Sequence, residues 1–185
     1  MKGSKPGDRL PRIVHPPPGP RARSLALDLA RFEAPGVNTL APSPGAAPPI
    51  LWETALGANV HDVDGNRYVD LTSAFGVAAV GHRHPRIVAA VRRQAGRLLH
   101  GLGDIHAHPL RVELAGRLAG LAPLDEPQVY FAASGAEAVE IALKTALAAT
   151  GRPGIVAFSP SYHGVTLGAL CVTSRPDGLV SRRST

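Results

Sequence analysis

The chain has 185 residues and a formal net charge of +6, and 44% of its residues are hydrophobic while only 4% are aromatic. That length fits one domain with an added tail, and the apolar content is sufficient for a core. The positive charge is concentrated near the two ends of the sequence, without the aromatic–basic stripe of a nucleic-acid-binding protein. There is no apolar run as long as a membrane span, and the single cysteine, Cys171, predicts a reducing, cytoplasmic location.

The first part of the chain reads as a tail followed by a hairpin. Residues 1–50 are rich in proline, glycine and arginine, which predicts a mostly disordered segment with room for a short helix over 24–33. Asp64-Gly65 stands between two strand-like runs, 59–63 and 67–71, and predicts a hairpin turn. The acidic residues here also invite a calcium loop, but the glycine comes too early for an EF-hand, so the turn is favoured.

Two helices are predicted next, from Pro85 to about His100 and from Pro109 to Gly120. Several histidines flank them at turns, where imidazole rings cap helices and form hydrogen bonds; we therefore expect no metal site from His82, His84, His100, His106 and His108.

A strand–helix unit follows, and its turn is the most informative feature of the chain. Residues 128–133 form an apolar run typical of a buried strand, and Gly135–Thr150 has the apolar stripe of a helix. Ser134 and Glu137 are spaced as a capping box. A helix start after a strand offers free N–H groups to a phosphate, which small residues such as Gly135 and Ala136 would admit. A helix start with no ligand remains the alternative.

A second apolar run, residues 155–158, predicts a strand parallel to the first, joined to it by a right-handed crossover in an α/β fold. The turn that follows carries Tyr162 and His163 on the side of the sheet where such folds bind ligands. Both residues are placed to stack on a planar ring whose phosphate lies at Gly135. A turn-stabilising role is equally open for His163.

These motifs together resemble the class III aminotransferases, the pyridoxal-phosphate enzymes that include ornithine, acetylornithine and 4-aminobutyrate aminotransferases. The resemblance runs from about Leu51 to Pro176. Its motifs are, in order, the hairpin Asn59–Asp70, the Gly-His-x-His-Pro turn at Gly81–Pro85, the cofactor loop at Gly135-Ala136, and the ring-stacking element Tyr162-His163-Gly164.

The resemblance implies an incomplete fold-type I pyridoxal-phosphate-dependent transferase of the α/β class. Residues 51–108 would belong to its small domain and 109–185 would begin the large cofactor-binding domain. The cofactor-binding residues it implies are Ser134, Gly135, Ala136, Tyr162 and His163, and Phe75 and Val77 would lie near the substrate entrance. The implied partners are an amino donor, a 2-oxo acid and, in the complete protein, a second subunit.

The chain also departs from that family. Members are much longer, and the aspartate that pairs with the pyridine nitrogen, the lysine that carries the cofactor and the arginine that grips the substrate carboxylate would lie beyond Thr185. The only lysines are Lys2, Lys5 and Lys144, and none is placed for that role. We therefore expect no catalytic residue here and no activity from this chain alone. A non-catalytic remnant or partner subunit is the alternative, and a basic phosphate- or nucleotide-binding module is a third.

Overall fold

The computed structural model describes residues 7–34, 49–103 and 105–174, which form two compact units that divide between His100 and Gly101. The first unit contains helix α1 (Pro20–Phe32), strands β1 (Trp52–Leu56), β2 (Asn59–Asp62) and β3 (Arg67–Val69), and helix α2 (Pro85–Ala95). The second contains helices α3 (Pro109–Ala119), α4 (Gly135–Thr150) and α5 (Leu167–Cys171). In these described ranges, every helix is too short or too polar to cross a membrane. The domain boundary at 108/109 stays a prediction.

The first unit is built on an antiparallel sheet with the strand order β1-β2-β3, and the predicted hairpin is its second turn. Gly65 has a positive φ of 84°, a conformation that glycine adopts without strain. The Asp62 carboxylate accepts hydrogen bonds from the N–H groups of Asp64, at 3.0 Å, and Asn66, at 2.8 Å. The Asp62 carboxylate therefore stabilises the hairpin turn that the sequence predicted.

The segment before α1 is ordered against this hairpin. Composition predicted disorder for residues 1–23, whereas backbone groups within residues 7–23 hydrogen-bond to the side chains of Asn59, Asp64 and Asn66 in the hairpin. Asn66 Oδ1 accepts from the backbone N–H groups of residues 14–15, and the Asn59 amide exchanges two hydrogen bonds with the backbone of Arg9. A polar segment without a core of its own is ordered because these side chains satisfy its backbone. Residues 1–6 and 35–48, also predicted to belong to the tail, lie outside the described residues.

Helix α1 begins at Pro20 rather than at the predicted Ser24, because its cap comes from the hairpin. Asp64 accepts hydrogen bonds from the N–H groups of Arg21, at 2.8 Å, and Ala22, at 2.9 Å. The N-cap residue itself is Gly19, where an added Cβ would lie 2.7 Å from the Asp64 Cβ. Glycine at this position therefore makes room for a cap that the local sequence does not contain.

Helix α2 ends at Ala95, before the predicted end near His100. Gly96 is its C-cap, and glycine is among the poorest helix-forming residues. One further turn follows, in which the N–H of Leu98 bonds to the carbonyl of Gln94 at 3.0 Å.

In the second unit, the predicted bounds of α3 and α4 hold to within one residue. Helix α4 closes on Gly151, which has a positive φ of 65° and donates its N–H to Leu147 at 2.8 Å. This is the left-handed C-cap typical of glycine.

The prediction of two parallel strands is wrong for the described part of the chain. Neither residues 128–133 nor residues 155–158 join a β-ladder within the described part of the chain. A parallel strand exists through hydrogen bonds to its neighbours, and these two runs do not pair with each other. Their apolar side chains are consequently exposed, Val156 at 90% and Phe158 at 84% of its surface.

Candidate functional site

The start of α4 has the capping arrangement that the sequence predicted. Ser134 Oγ accepts the N–H of Glu137 at 3.1 Å, and the Glu137 carboxylate reaches back to the N–H of Ala133 at 2.6 Å. In a standard capping box, the glutamate would bind the N–H of the N-cap residue instead, here Ser134. Neither of these two capping bonds uses the N–H groups of Gly135 and Ala136.

Those first amides form an open position for an anion. Among the described residues, the N–H groups of Gly135 and Ala136 have no hydrogen-bond acceptor. A Cβ added at Gly135 would meet no atom within 4 Å, so space in front of the helix is free. The helix dipole adds a partial positive charge at this end. The residues present therefore fit a phosphate group, whose oxygens would accept hydrogen bonds from these N–H groups.

The segment 161–174, which we call the Tyr162 loop, is closed on itself. Ser161 and Ser174 exchange two backbone hydrogen bonds, at 2.8 and 2.9 Å. The Thr173 hydroxyl accepts the N–H of His163 at 3.1 Å, and its oxygen also lies 2.9 Å from the carbonyl oxygen of Gly164. This hydroxyl therefore fixes the backbone beside Tyr162.

The Tyr162 loop packs directly on the start of α4. Gly164 is buried with a positive φ of 124°, and an added Cβ would lie 2.9 Å from the Ala136 Cα. Only glycine allows this approach. The structure thus brings together the two segments that the sequence singled out, the small-residue helix start and the Tyr162-His163-Gly164 turn. The Tyr162 side chain is 56% exposed, and His163 is exposed as well. The cofactor roles of Ser134, Gly135, Ala136, Tyr162 and His163 remain predictions.

Glu140 is a residue of this site that the sequence analysis missed. Its carboxylate accepts the N–H groups of Gly168, at 2.6 Å, and Ala169, at 3.3 Å, in α5. Hydrogen bonds from the Thr166 side chain and from these amides hold the pKa of Glu140 below its usual range. The signal available in the sequence was spacing, because Glu140 follows Ala136 by four residues and shares its helix face.

The two predicted substrate-entrance residues lie in the first unit and are highly exposed, Phe75 at 93% and Val77 at 90%. They belong to a left-handed turn in which Ser73, Ala74 and Phe75 all have φ between 50° and 57°. Such backbone is rare outside glycine and costs about 1–2 kcal/mol per residue. Strain of this kind is often found at functional sites, and the substrate role of both residues stays a prediction.

Asp70 stabilises that turn through hydrogen bonds to its side chain. Its carboxylate accepts the N–H of Ala74 at 2.9 Å, and both the N–H and the hydroxyl of Thr72. It also hydrogen-bonds to the ring of His82, within the Gly-His-x-His-Pro motif. The bond to His82 is the main cause that lowers the pKa of Asp70 below its ordinary value, against the opposing effect of burial.

Two of the remaining histidines stand at helix N-termini, and one of them caps its helix through its side chain. His108 Nδ1 accepts the N–H of Leu110 at 3.1 Å at the start of α3, as predicted. His84 occupies the N-cap position of α2 without a side-chain capping bond. Within the ranges the structure describes, no three potential ligands among histidine, cysteine, aspartate and glutamate converge on a metal position.

A separate groove of about 520 Å³ is lined by α3 and by residues 127–131, before α4. It is lined by Arg111, Val129 and Phe131, among others, and the Arg111 guanidinium lies 5.5 Å from the centre of the Phe131 ring. None of the predicted site residues lines this groove.

Comparison with known families gives one clear match. The family model described as "Aminotransferase class-III" matches residues 41–181, about three quarters of the chain.

Relatives of known name agree with that match. The chain is 40% identical over 132 residues to 5-aminovalerate aminotransferase of Pseudomonas aeruginosa, covering 71% of this chain and 31% of the relative. It is 33% identical over 164 residues to alanine/serine racemase of Pyrococcus horikoshii, covering 89% of this chain and 33% of that protein.

Among solved structures, a similar one is taurine:2-oxoglutarate aminotransferase from Bifidobacterium kashiwanohense, in complex with PLP and glutamate. Its TM-score is 0.68 at 30% identity, with 80% of this chain and 32% of that chain covered. The chain thus spans about a third of the length of the proteins it matches.

Proposed function

Because the chain belongs to the class-III aminotransferase family, we propose that it supplies the amino-terminal part of a pyridoxal-phosphate-dependent aminotransferase. Its fold is a partial α/β fold of the fold-type I transaminases. The proposed reaction moves an amino group from an amine or amino acid to a 2-oxo acid.

One observation carries the proposal: the contact of Gly164 with Ala136, which joins the open amides of α4 to the Tyr162 loop. A phosphate needs N–H donors and a planar ring needs an aromatic face, and the two segments offer these side by side. Neither segment alone would favour pyridoxal phosphate over any other anion.

The residues of this chain would divide the work of holding the cofactor. The N–H groups of Gly135 and Ala136 would bind the phosphate, while Ser134 keeps the helix start in place through its cap. Tyr162 would cover one face of the ring, with His163 beside it. When bound, pyridoxal phosphate supplies the electron sink for the chemistry. Phe75 and Val77 would contact the substrate at its entrance.

The test is a cofactor half-reaction on the full-length protein that carries this segment. Purified protein is loaded with pyridoxal phosphate and mixed with a panel of amines and amino acids in the absence of a 2-oxo acid. We expect stoichiometric conversion of the cofactor to its amino form by at least one donor, and its return on adding a 2-oxo acid. A protein that retains the cofactor but converts it with no donor would contradict amino transfer.

A racemase is the second candidate, favoured by the relative named alanine/serine racemase, which matches 89% of this chain. Racemisation leaves the amino group on the substrate and needs no 2-oxo acid. In deuterated water, a racemase would exchange the α-hydrogen and produce the opposite enantiomer without consuming the amino acid. The half-reaction above separates the two functions.

We also propose a dimer and a cytoplasmic location for the complete protein. The exposed apolar side chains of the second unit support an associated state. The single cysteine supports a reducing compartment.

A further inference from the structure

Two glycines of the Tyr162 loop face the same side of α4. Gly164 contacts Ala136, and Gly168 contacts Glu140, one helical turn further along. An added Cβ at Gly168 would lie 2.9 Å from the carboxyl carbon of Glu140. The loop is thus shaped to approach the helix at both positions.

The two contacts differ in kind. Gly164 and Ala136 meet through backbone and methyl atoms, a contact without direction. The Glu140 carboxylate accepts hydrogen bonds from the amides of Gly168 and Ala169. Hydrogen bonds to a charged group are directional and stronger than those between neutral groups. Helices α4 and α5 pack against each other at this point.

Within the Tyr162 loop, Thr173 connects the part that Glu140 holds to the backbone next to Tyr162. The Thr173 hydroxyl accepts the N–H of His163, and it lies 2.8 Å from the carbonyl oxygen of Ala169 and 2.9 Å from that of Gly164, to one of which it donates its single proton. The residue that Glu140 holds is therefore linked through one hydroxyl to the backbone beside Tyr162.

We infer that Glu140 is a positioning residue: its carboxylate fixes the Tyr162 loop on α4 and thereby sets where the ring-facing residues stand relative to the amides of Gly135 and Ala136. The inference rests on the proposed function for its consequence at the cofactor. A general structural role of Glu140 would affect both halves of the site equally, whereas a positioning role would not. Losing Glu140 disturbs the ring-facing half of the site and spares the phosphate-facing half.

The first arm of the test uses hydrogen exchange on the full-length protein that carries this segment, without added cofactor. Glu140→Ala removes the acceptor, Gly168→Ala displaces it from the other side, and Glu140→Gln keeps an oxygen acceptor but loses the charge. We expect amide exchange within residues 161–174 to accelerate by about tenfold in Glu140→Ala and Gly168→Ala, because each loses about one charged hydrogen bond. The acceleration should be smaller in Glu140→Gln. The control is Glu113→Gln, which removes an equal charge from exposed α3.

The second arm uses the full-length protein and two probes, pyridoxal phosphate and inorganic phosphate. We expect Glu140→Ala to weaken pyridoxal phosphate binding about fivefold to tenfold and to reduce its induced circular dichroism, which reports ring orientation. Competition by inorganic phosphate should be unchanged, because the free amides at the start of α4 remain. Glu140→Gln should restore part of the dichroism.

The outcomes separate this inference from the proposed function. If the wild-type protein binds no pyridoxal phosphate, the proposed function and the cofactor consequence of Glu140 both fail. If the wild type binds it, and Glu140→Ala matches the wild type in affinity and dichroism, only the Glu140 inference is overturned. An equal weakening of both probes would also overturn it, because the role would then be general stability. Unchanged exchange in residues 161–174 would show that the carboxylate does not hold the loop.

Discussion

The Asp70 Oδ2 atom lies 2.8 Å from Nε2 of His82, and both side chains are mostly shielded from solvent. The pair joins the residue that follows β3 to the Gly-His-x-His-Pro turn before α2. The same carboxylate supports the left-handed turn that carries Phe75. One side chain therefore holds together two motifs that were separate in the sequence.

The first prediction concerns pH. The folded-state pKa of Asp70 is lowered, so its stabilising contribution is complete above the unfolded pKa, about 4, and is lost as the pH falls through the folded value. We expect the stability difference between wild type and Asp70→Asn to be larger at about pH 5 than below about pH 4, where the carboxylate becomes protonated. Denaturant unfolding across this range measures it. Asp28→Asn, an exposed site on α1, is the control, and a pH-independent difference for Asp70→Asn would contradict the prediction.

The second prediction is that the 185-residue chain has no transaminase activity of its own. Lys144 is the lysine on α4, and its backbone lies about 13–14 Å along the axis from Gly135, too far to carry the cofactor. Borohydride reduction with pyridoxal phosphate, followed by peptide mapping, should find no uniquely labelled lysine. Turnover above the free-cofactor background would refute this, whereas its absence is equally compatible with a non-catalytic partner subunit.

The third prediction is that the chain associates when expressed alone. Val156, Phe158 and Tyr130 expose 90%, 84% and 77% of their surfaces in segments with the pattern of buried strands. Such exposed apolar area drives oligomerisation or aggregation. Light scattering and sedimentation should show poor solubility or soluble oligomers. Replacing Val156 and Phe158 with threonine should reduce association, and a monodisperse wild-type monomer with a sharp cooperative melt would sink the idea.

The fourth prediction tests the phosphate position in the full-length protein. Gly135→Val fills the open space before α4, and we expect it to lower pyridoxal phosphate affinity by more than about tenfold, the loss of one charged hydrogen bond. Tyr162→Ala should cost about 0.5–1.5 kcal/mol if the residue stacks as an ordinary aromatic pair. Lys144→Ala, exposed farther along the helix, should bind as the wild type does. Equal losses in Gly135→Val and Lys144→Ala at matched folded stability would show that the site is misplaced.

Local patterns in the sequence predicted local structure well. The bounds of α4 and the hairpin turn at Asp64-Gly65 follow from capping, glycine and periodicity, all of which act within a few residues. The sequence also identified the family, because four motifs in the same order and spacing are a far more specific signal than one motif.

What the sequence did not predict depends on partners distant along the chain. The strand pattern of residues 128–133 and 155–158 reports burial, but a ladder requires neighbouring strands, which the described residues do not supply. Glu140 follows the ordinary helical pattern in the sequence, and the amides that donate to its carboxylate lie on α5, 28 and 29 residues later in the chain. The order of residues 7–23 likewise depends on buried amides of the sheet.

The cap of α1 has a consequence for how the first unit assembles. A helix usually carries its own N-cap, and can then start before the rest of the protein is in place. Here Asp64 supplies both capping oxygens to residues more than 40 positions earlier in the chain. Helix α1 therefore gains its first turn only after the hairpin has closed, although it precedes the hairpin in synthesis. We expect the order of folding in this unit to run against the order of translation.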